Sequence, residues 1–158
     1  MSGRIELRRV TPVVDTAAYA DEDRVGAVMT FTDLLGSNRT GLIRSVVLLM
    51  ESGAVAGTTS FNLWLFRTSP TIASADNAAL DLTDAQLTAN SLGHINIPAT
   101  AETFLALSGS NGIITVQNLA LSVDSTDGNL YGVLEAQGAV TFTAADDLTV
   151  VLGVEQVG

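Results

Sequence analysis

Short runs of Val, Ile, Leu and Thr, each about the length of a strand, recur from one end of this chain to the other. They cover Ile5 to Val14, Val25 to Thr32, Leu42 to Met50, Phe61 to Arg67, His94 to Ile97, Thr103 to Leu107, Ile113 to Val116, Leu119 to Val123, Leu130 to Ala136 and Leu148 to Glu155. In the last, Leu148, Val150, Leu152 and Val154 alternate with Thr149, Val151, Gly153 and Glu155, the period-two pattern of a half-buried strand. Leu42 to Met50 is different, because Val46 to Met50 is apolar without interruption. A strand apolar on both faces is either central in a two-layer core or covered by another subunit. In the Phe61 run, Phe61, Leu63 and Leu65 share one face, and Trp64 and Phe66 share the other.

Turn residues punctuate these runs. Gly36 to Gly41 separates two of them, and Asn111-Gly112 and Asp127-Gly128-Asn129 have the composition of tight hairpin turns, where glycine supplies a positive φ. Thr83 and Gln86 stand at capping-box spacing, a hydroxyl N-cap with Gln three residues on. One short helix is therefore predicted at about 84–89, with a second, weaker turn around Ala101 to Phe104. Eight or so short strands and one helical insertion predict a single-domain, all-β antiparallel sandwich of jelly-roll type, with another Greek-key order as the alternative. Residues 1–12 read as an N-terminal arm or edge strand, ending at Pro12, and 13–158 as the sandwich.

Composition fits this class. At 158 residues and 47% hydrophobic content, the chain can bury one core without disulfides or metal. No run reaches the roughly 18 apolar residues of a membrane helix, and the charged first residues do not form a signal peptide. Synthesis and folding in a cytoplasm, with no membrane partner, are expected.

Charge and reactive groups narrow the function. There is no cysteine, no lysine and one histidine, His94, so nucleophilic and acid–base catalysis would rest on carboxylates. No Gly-x-Ser-x-Gly elbow occurs. No enzyme, cofactor or metal is expected, and His94, without a nearby partner in sequence, reads as structural. A carboxylate-based hydrolase is the competing class, requiring two acids to converge across a cleft. All seven arginines lie within the first 67 residues, balanced there by seven acids, while the remainder carries ten acids and no base. An acidic half of that kind repels phosphate backbones, so no nucleic-acid partner is expected. The oxygen-rich Asp124 to Asn129 turn and Asp146-Asp147 raise calcium, but the turn lacks the ligand order of an EF-hand, and hairpin geometry accounts for it.

Two groups remain as candidate contacts. Arg4, Arg8 and Arg9 alternate with Ile5, Leu7 and Val10, a pattern that would let an arm add to a neighbour's sheet edge while its arginines reach acids. Trp64 and Phe66 form either a face packed under a loop or a patch buried on assembly.

Three stretches carry a resemblance: Thr11-Pro-Val-Val-Asp-Thr-Ala-Ala-Tyr19 leading to Val25-Gly26; Phe61-Asn-Leu-Trp-Leu-Phe66 with Pro70, Asp76 to Leu80 and the short helix; and Leu130 to Gly138 through Leu148 to Gly153. Together they resemble the small virion structural proteins of tailed bacteriophages. The resemblance implies a capsid decoration, or cement, protein on the outer capsid surface. There, homotrimers of a β-sandwich subunit tie capsomers together, with the major capsid protein as partner. It implies assembly in a bacterial host cytoplasm, residence in the virion and no catalytic residues. The acidic insertion Asp21-Glu-Asp23 departs from the pattern. The alternative is a tail or fibre module that binds a host receptor or glycan.

Overall fold

The computed structural model describes residues 3–51, 59–107 and 111–157; residues 1–2, at the head of the expected arm, and Gly158 lie outside them. Ten strands form two antiparallel sheets. They are β1 (Ile5–Val10), β2 (Arg24–Phe31), β3 (Thr40–Met50), β4 (Ser60–Phe66), β5 (Ser91–Ile97), β6 (Phe104–Ala106), β7 (Gly112–Val116), β8 (Leu121–Asp124), β9 (Leu130–Gln137) and β10 (Leu148–Gln156). One sheet runs β1-β10-β3-β7-β6, with β8 on the first part of β3, and the other runs β2-β9-β4-β5.

The pairing is nested. β1 lies against β10, β2 against β9, β3 against β8 and β4 against β5, as if one long hairpin had been rolled over itself. That is the jelly-roll arrangement expected from the sequence. The β6–β7 hairpin is inserted, and β7 occupies the part of β3 that β8 leaves free. Leu107 N–H donates to the Asn111 carbonyl across this connection at 2.8 Å; the remainder of the loop before Asn111, at 108–110, is outside the described residues.

Alternation sets the core. Val46, Leu48 and Met50 from β3, and Leu148, Val150, Leu152 and Val154 from β10, meet Phe61, Leu63 and Leu65 from β4 and Leu130, Leu134 and Ala136 from β9. The apolar run of β3 is thereby resolved: it is central in its sheet, with one face in the core. Val47 and Leu49, between the core residues, stand on the other face and are only half-buried. Tyr19 and Phe142 close one end of the core edge to face, with ring centres 5.8 Å apart.

The predicted helix is a single helical turn. It starts at Asp84 and widens into a π-helix over Gln86–Asn90, where Ser91 N–H reaches back to the Gln86 carbonyl. Its capping box forms in both directions: Gln86 N–H donates to Thr83 Oγ1 at 3.3 Å, and Thr83 N–H donates to Gln86 Oε1 at 2.9 Å.

The nested pairing also mixes the two halves of the chain. Arg44 Nε donates to Glu155 at 2.7 Å, and Arg67 pairs with Asp124, so arginines of the first half meet acids of the second. The asymmetry of charge along the sequence is not carried over as two separate ends of the fold. No helix among the described residues is long and apolar enough to cross a membrane.

Candidate functional site

Residues 5–10 of the expected arm form β1, an edge strand of their own sheet. Its side chains alternate. Ile5, Leu7 and Arg9 are exposed, while Glu6, Arg8 and Val10 are half-buried. Arg4 and Arg8 both reach Glu6, at 2.6 Å and 3.0 Å, and Arg8 Nε donates to the Thr32 carbonyl at 2.9 Å, fastening β1 to the end of β2. Arg9 stands on the exposed face.

That face continues across the sheet. Cross-strand register places Arg9 beside Val151, Val151 beside Val47, and Val47 beside Thr115. One row along, Thr149, Leu49, Ile113 and Leu105 stand side by side. On the other side of the Arg9 row, Leu7 lies beside Gly153. The outer face of the six-stranded sheet is therefore studded with Leu, Val and Ile. Ile5, Leu7 and Leu105 are 63%, 59% and 59% exposed, well beyond what a sheet face turned to water ordinarily leaves open. Arg9, Thr149 and Thr115 interrupt the apolar residues of this face.

The outer face of the four-stranded sheet is built differently. Trp64 on β4 is paired in register with His94 on β5, and their rings stack at 4.9 Å with a 34° tilt. Trp64 Nε1 donates to Glu135 Oε2 at 2.9 Å, and Asn62 Nδ2 donates to the same oxygen at 3.1 Å. Asn96 Nδ2 then donates to Asn62 Oδ1 at 3.1 Å. The lone histidine thus has a partner 30 positions away in sequence, which only strand register could reveal. Glu135 was equally hidden, because nothing near it in sequence distinguishes it.

Phe66 is fully buried, although it lies outside the central cluster. The cause is the long connection from β4 to β5. It leaves at Phe66, and Asn77 N–H donates to the Arg24 carbonyl and Arg24 N–H to the Ala78 carbonyl, both at 2.9 Å, at the opposite end of the sheet. It returns to Asn90, whose carbonyl accepts from Arg67 N–H at 3.0 Å. This strap runs over the outer face and accounts for the burial of Phe66 and Val133 there. Trp64 and Phe66 therefore do not make one exposed patch: Trp64 is half-exposed and Phe66 is inside the subunit.

Asp76 holds the strap. Its Oδ1 accepts from the Tyr19 hydroxyl and from Gly26 N–H, each at 2.7 Å. Burial first, and then the bond to Asp76, push the Tyr19 phenol well above its ordinary pKa.

The oxygen-rich turns are occupied by their own backbone and side chains. Asp127 accepts from Asn129 N–H at 3.0 Å, Ser125 Oγ at 2.9 Å and the Tyr131 hydroxyl at 2.6 Å. The bond from Tyr131, with those from the turn, lowers its pKa to about 2. Asp124 is engaged by Arg67. Asp147 is buried and its Oδ2 accepts from the N–H groups of Thr143 and Ala144, both at 2.8 Å, and from Thr143 Oγ1 at 2.7 Å. Among the described residues, no group of three or more His, Asp or Glu is placed to hold a metal ion.

Two surface features stand out: a basic edge strand beside the outward Leu, Val and Ile of the six-stranded sheet, and a Trp–His–Glu–Asn cluster on the four-stranded sheet. The chain matches no protein-family model and, at a significant level, no curated protein.

Proposed function

We propose that this chain is a capsid decoration protein of a tailed bacteriophage, bound to the outer surface of the head and bridging capsomers. The supporting observation is the apolar outer face of the six-stranded sheet, flanked by the arginines of β1, on a subunit whose own core is complete without it. The resemblance of the three stretches to small phage head proteins points the same way. In this reading the major capsid protein and further copies of the chain, joined as a trimer on the capsid, cover the apolar face. Leu and Val supply buried area, and Arg9, which has Val151 beside it, supplies a charged rim. Bridging several capsomers at once raises the effective concentration of each contact, so individually weak contacts resist pressure from packaged DNA.

Capsids lacking this chain, mixed with the purified protein and sedimented, are expected to carry it at saturable copy number and to survive osmotic shock or heating that ruptures bare capsids. A Leu49→Asp variant that keeps its melting temperature should lose both effects. Failure of the wild-type protein to bind such capsids, or binding without gain in resistance, would refute the reading.

One observation favours a tail or fibre module instead. Trp64, Asn62, Asn96 and Glu135 place a half-exposed aromatic among amide and carboxylate groups, a combination suited to sugars. Glycan-array binding that is lost in Trp64→Ala, together with no capsid binding, would select that reading.

A further inference from the structure

Strand β1 closes one side of the six-stranded sheet, and its outer edge is open. The Arg4 carbonyl accepts from Gln156 N–H at 2.8 Å. Antiparallel bonding alternates along a strand, so Arg4, Glu6, Arg8 and Val10 turn their backbone groups towards β10. Ile5, Leu7 and Arg9 turn theirs outward. Three residues in a row of that phase form a template for another strand.

We propose that this edge takes the same strand of a second copy, antiparallel about a two-fold axis at Leu7, so that two six-stranded sheets join into one. The inference goes beyond the capsid reading and does not depend on it. Reciprocal bonds require outward residues to face outward residues. In the proposed register Leu7 faces the partner's Leu7, Ile5 faces the partner's Arg9, and Glu6 faces the partner's Arg8. The Leu7 carbonyl already accepts from the Arg8 guanidinium at 3.0 Å, and its second lone pair remains for the partner's amide.

Charge selects this register from its neighbours. Sliding the pair one step one way, with the bonding phase kept, sets Glu6 against Glu6; sliding it the other way sets Arg8 against Arg8. Like charges directly opposite are destabilising, and opposite charges are favourable. The register centred on Leu7 places each carboxylate across from a guanidinium and pairs the strand over nearly its whole length, whereas one centred on Ile5 sets Glu6 against Arg4 but leaves Arg8 to Val10 beyond the partner's strand. Pairing about Leu7 also takes Ile5 and Leu7, now 63% and 59% exposed, out of water. Glu6 and Arg8 stand symmetrically about Leu7, so a second copy read antiparallel supplies each with its opposite charge. Six residues per side bury little area, so the dimer forms reversibly.

Sedimentation equilibrium of the full chain across micromolar to millimolar concentration tests this. The mass is expected to rise from 16.4 kDa towards twice that value. Amide exchange of Ile5, Leu7 and Arg9 should slow as concentration rises, with Glu6 and Arg8 unchanged. Glu6→Arg should weaken dimerisation at least tenfold. The Glu6→Arg/Arg8→Glu double variant should dimerise with itself and not with wild type. A monomer throughout, an oligomer in which the Leu7 amide stays unprotected, or free mixing of double variant and wild type would each overturn the proposal. The exchange measurement needs no variant, so the test holds even if a substitution unfolds the chain.

Discussion

Replacing Asp76 with Ala removes a single carboxylate oxygen that serves two distant parts of the fold. It accepts from the Tyr19 hydroxyl and from Gly26 N–H at 2.7 Å each, and both donors belong to buried residues. A hydrogen bond to a charged group contributes about 1.5–3 kcal/mol net. Asp76 itself is half-buried, so water enters part of the space left behind, and the lower figure applies to each bond. The expected loss is about 3 kcal/mol. A domain of this size loses about 2–4 °C per kcal/mol, so calorimetry at neutral pH should show a fall of about 6–12 °C. Tyr19→Phe removes one of the two bonds to Asp76 and also the acceptor of Asp15 N–H, which donates to the Tyr19 hydroxyl at 2.6 Å, and should cost about 2–3 kcal/mol. The double variant should lose less than the sum, because the two share an interaction. Amides of Asn77 and Leu80, which bond to Arg24 and Glu22, should exchange faster in Asp76→Ala as the strap loosens. A melting temperature within about 2 °C of wild type, or strict additivity of the two substitutions, would refute the role assigned to Asp76.

Other expectations follow from the same geometry. Because the Tyr19 pKa is raised in the fold, its contribution to stability is intact below the ordinary phenol value of about 10 and falls as pH rises beyond it. Tyr19→Phe should flatten the alkaline slope of melting temperature, and an unchanged slope would contradict this. The lowered Asp127 pKa works in the opposite sense: its preference for the folded turn is full above about 3.9 and is lost as pH falls through about 2. The Asn129 amide resonance should therefore titrate near 2; a midpoint near 4 would show that the turn is not holding the carboxylate. Gly26→Ala should cost about 1–3 kcal/mol by urea unfolding, since Gly26 has φ 72° and a Cβ there would lie 2.9 Å from Pro12 Cβ. Replacing EDTA with millimolar calcium should leave the melting temperature unchanged, because the Asp127 oxygens are spent on their own turn; a rise of several degrees would reverse that conclusion.

What could be read from the chain was local. The alternation of Leu148 to Val154 reports burial against the facing sheet, and the Thr83–Gln86 spacing fixed the start of the helical turn, because both depend on neighbours a few positions away. The widening of that turn into a π-helix was not visible, since no residue type there demands it. Strand register was also out of reach, and register decides the surface. Trp64 meets His94 and Glu135 only because β4 lies between β5 and β9. Alternation put Phe66 and Trp64 on one face, packed under a loop or buried on assembly, and the two part: Phe66 is buried within the subunit and Trp64 is half-exposed. All seven arginines lie in the first 67 residues, and nested pairing brings Arg44 and Arg67 to acids of the second half.

Nested pairing also orders the birth of the molecule on the ribosome. β10 is translated after the other nine strands of the described residues, yet it sits inside its sheet, between β1 and β3. Until it emerges, β3 presents an open edge and the apolar Val46 to Met50 run has no neighbour on that side. The nascent chain therefore carries an adhesive edge from the completion of β3 until β10 emerges, and the six-stranded sheet closes in one late step that brings β10 against residues roughly a hundred or more positions earlier. Losing β10 would take an interior strand out of the sheet and part β1 from β3.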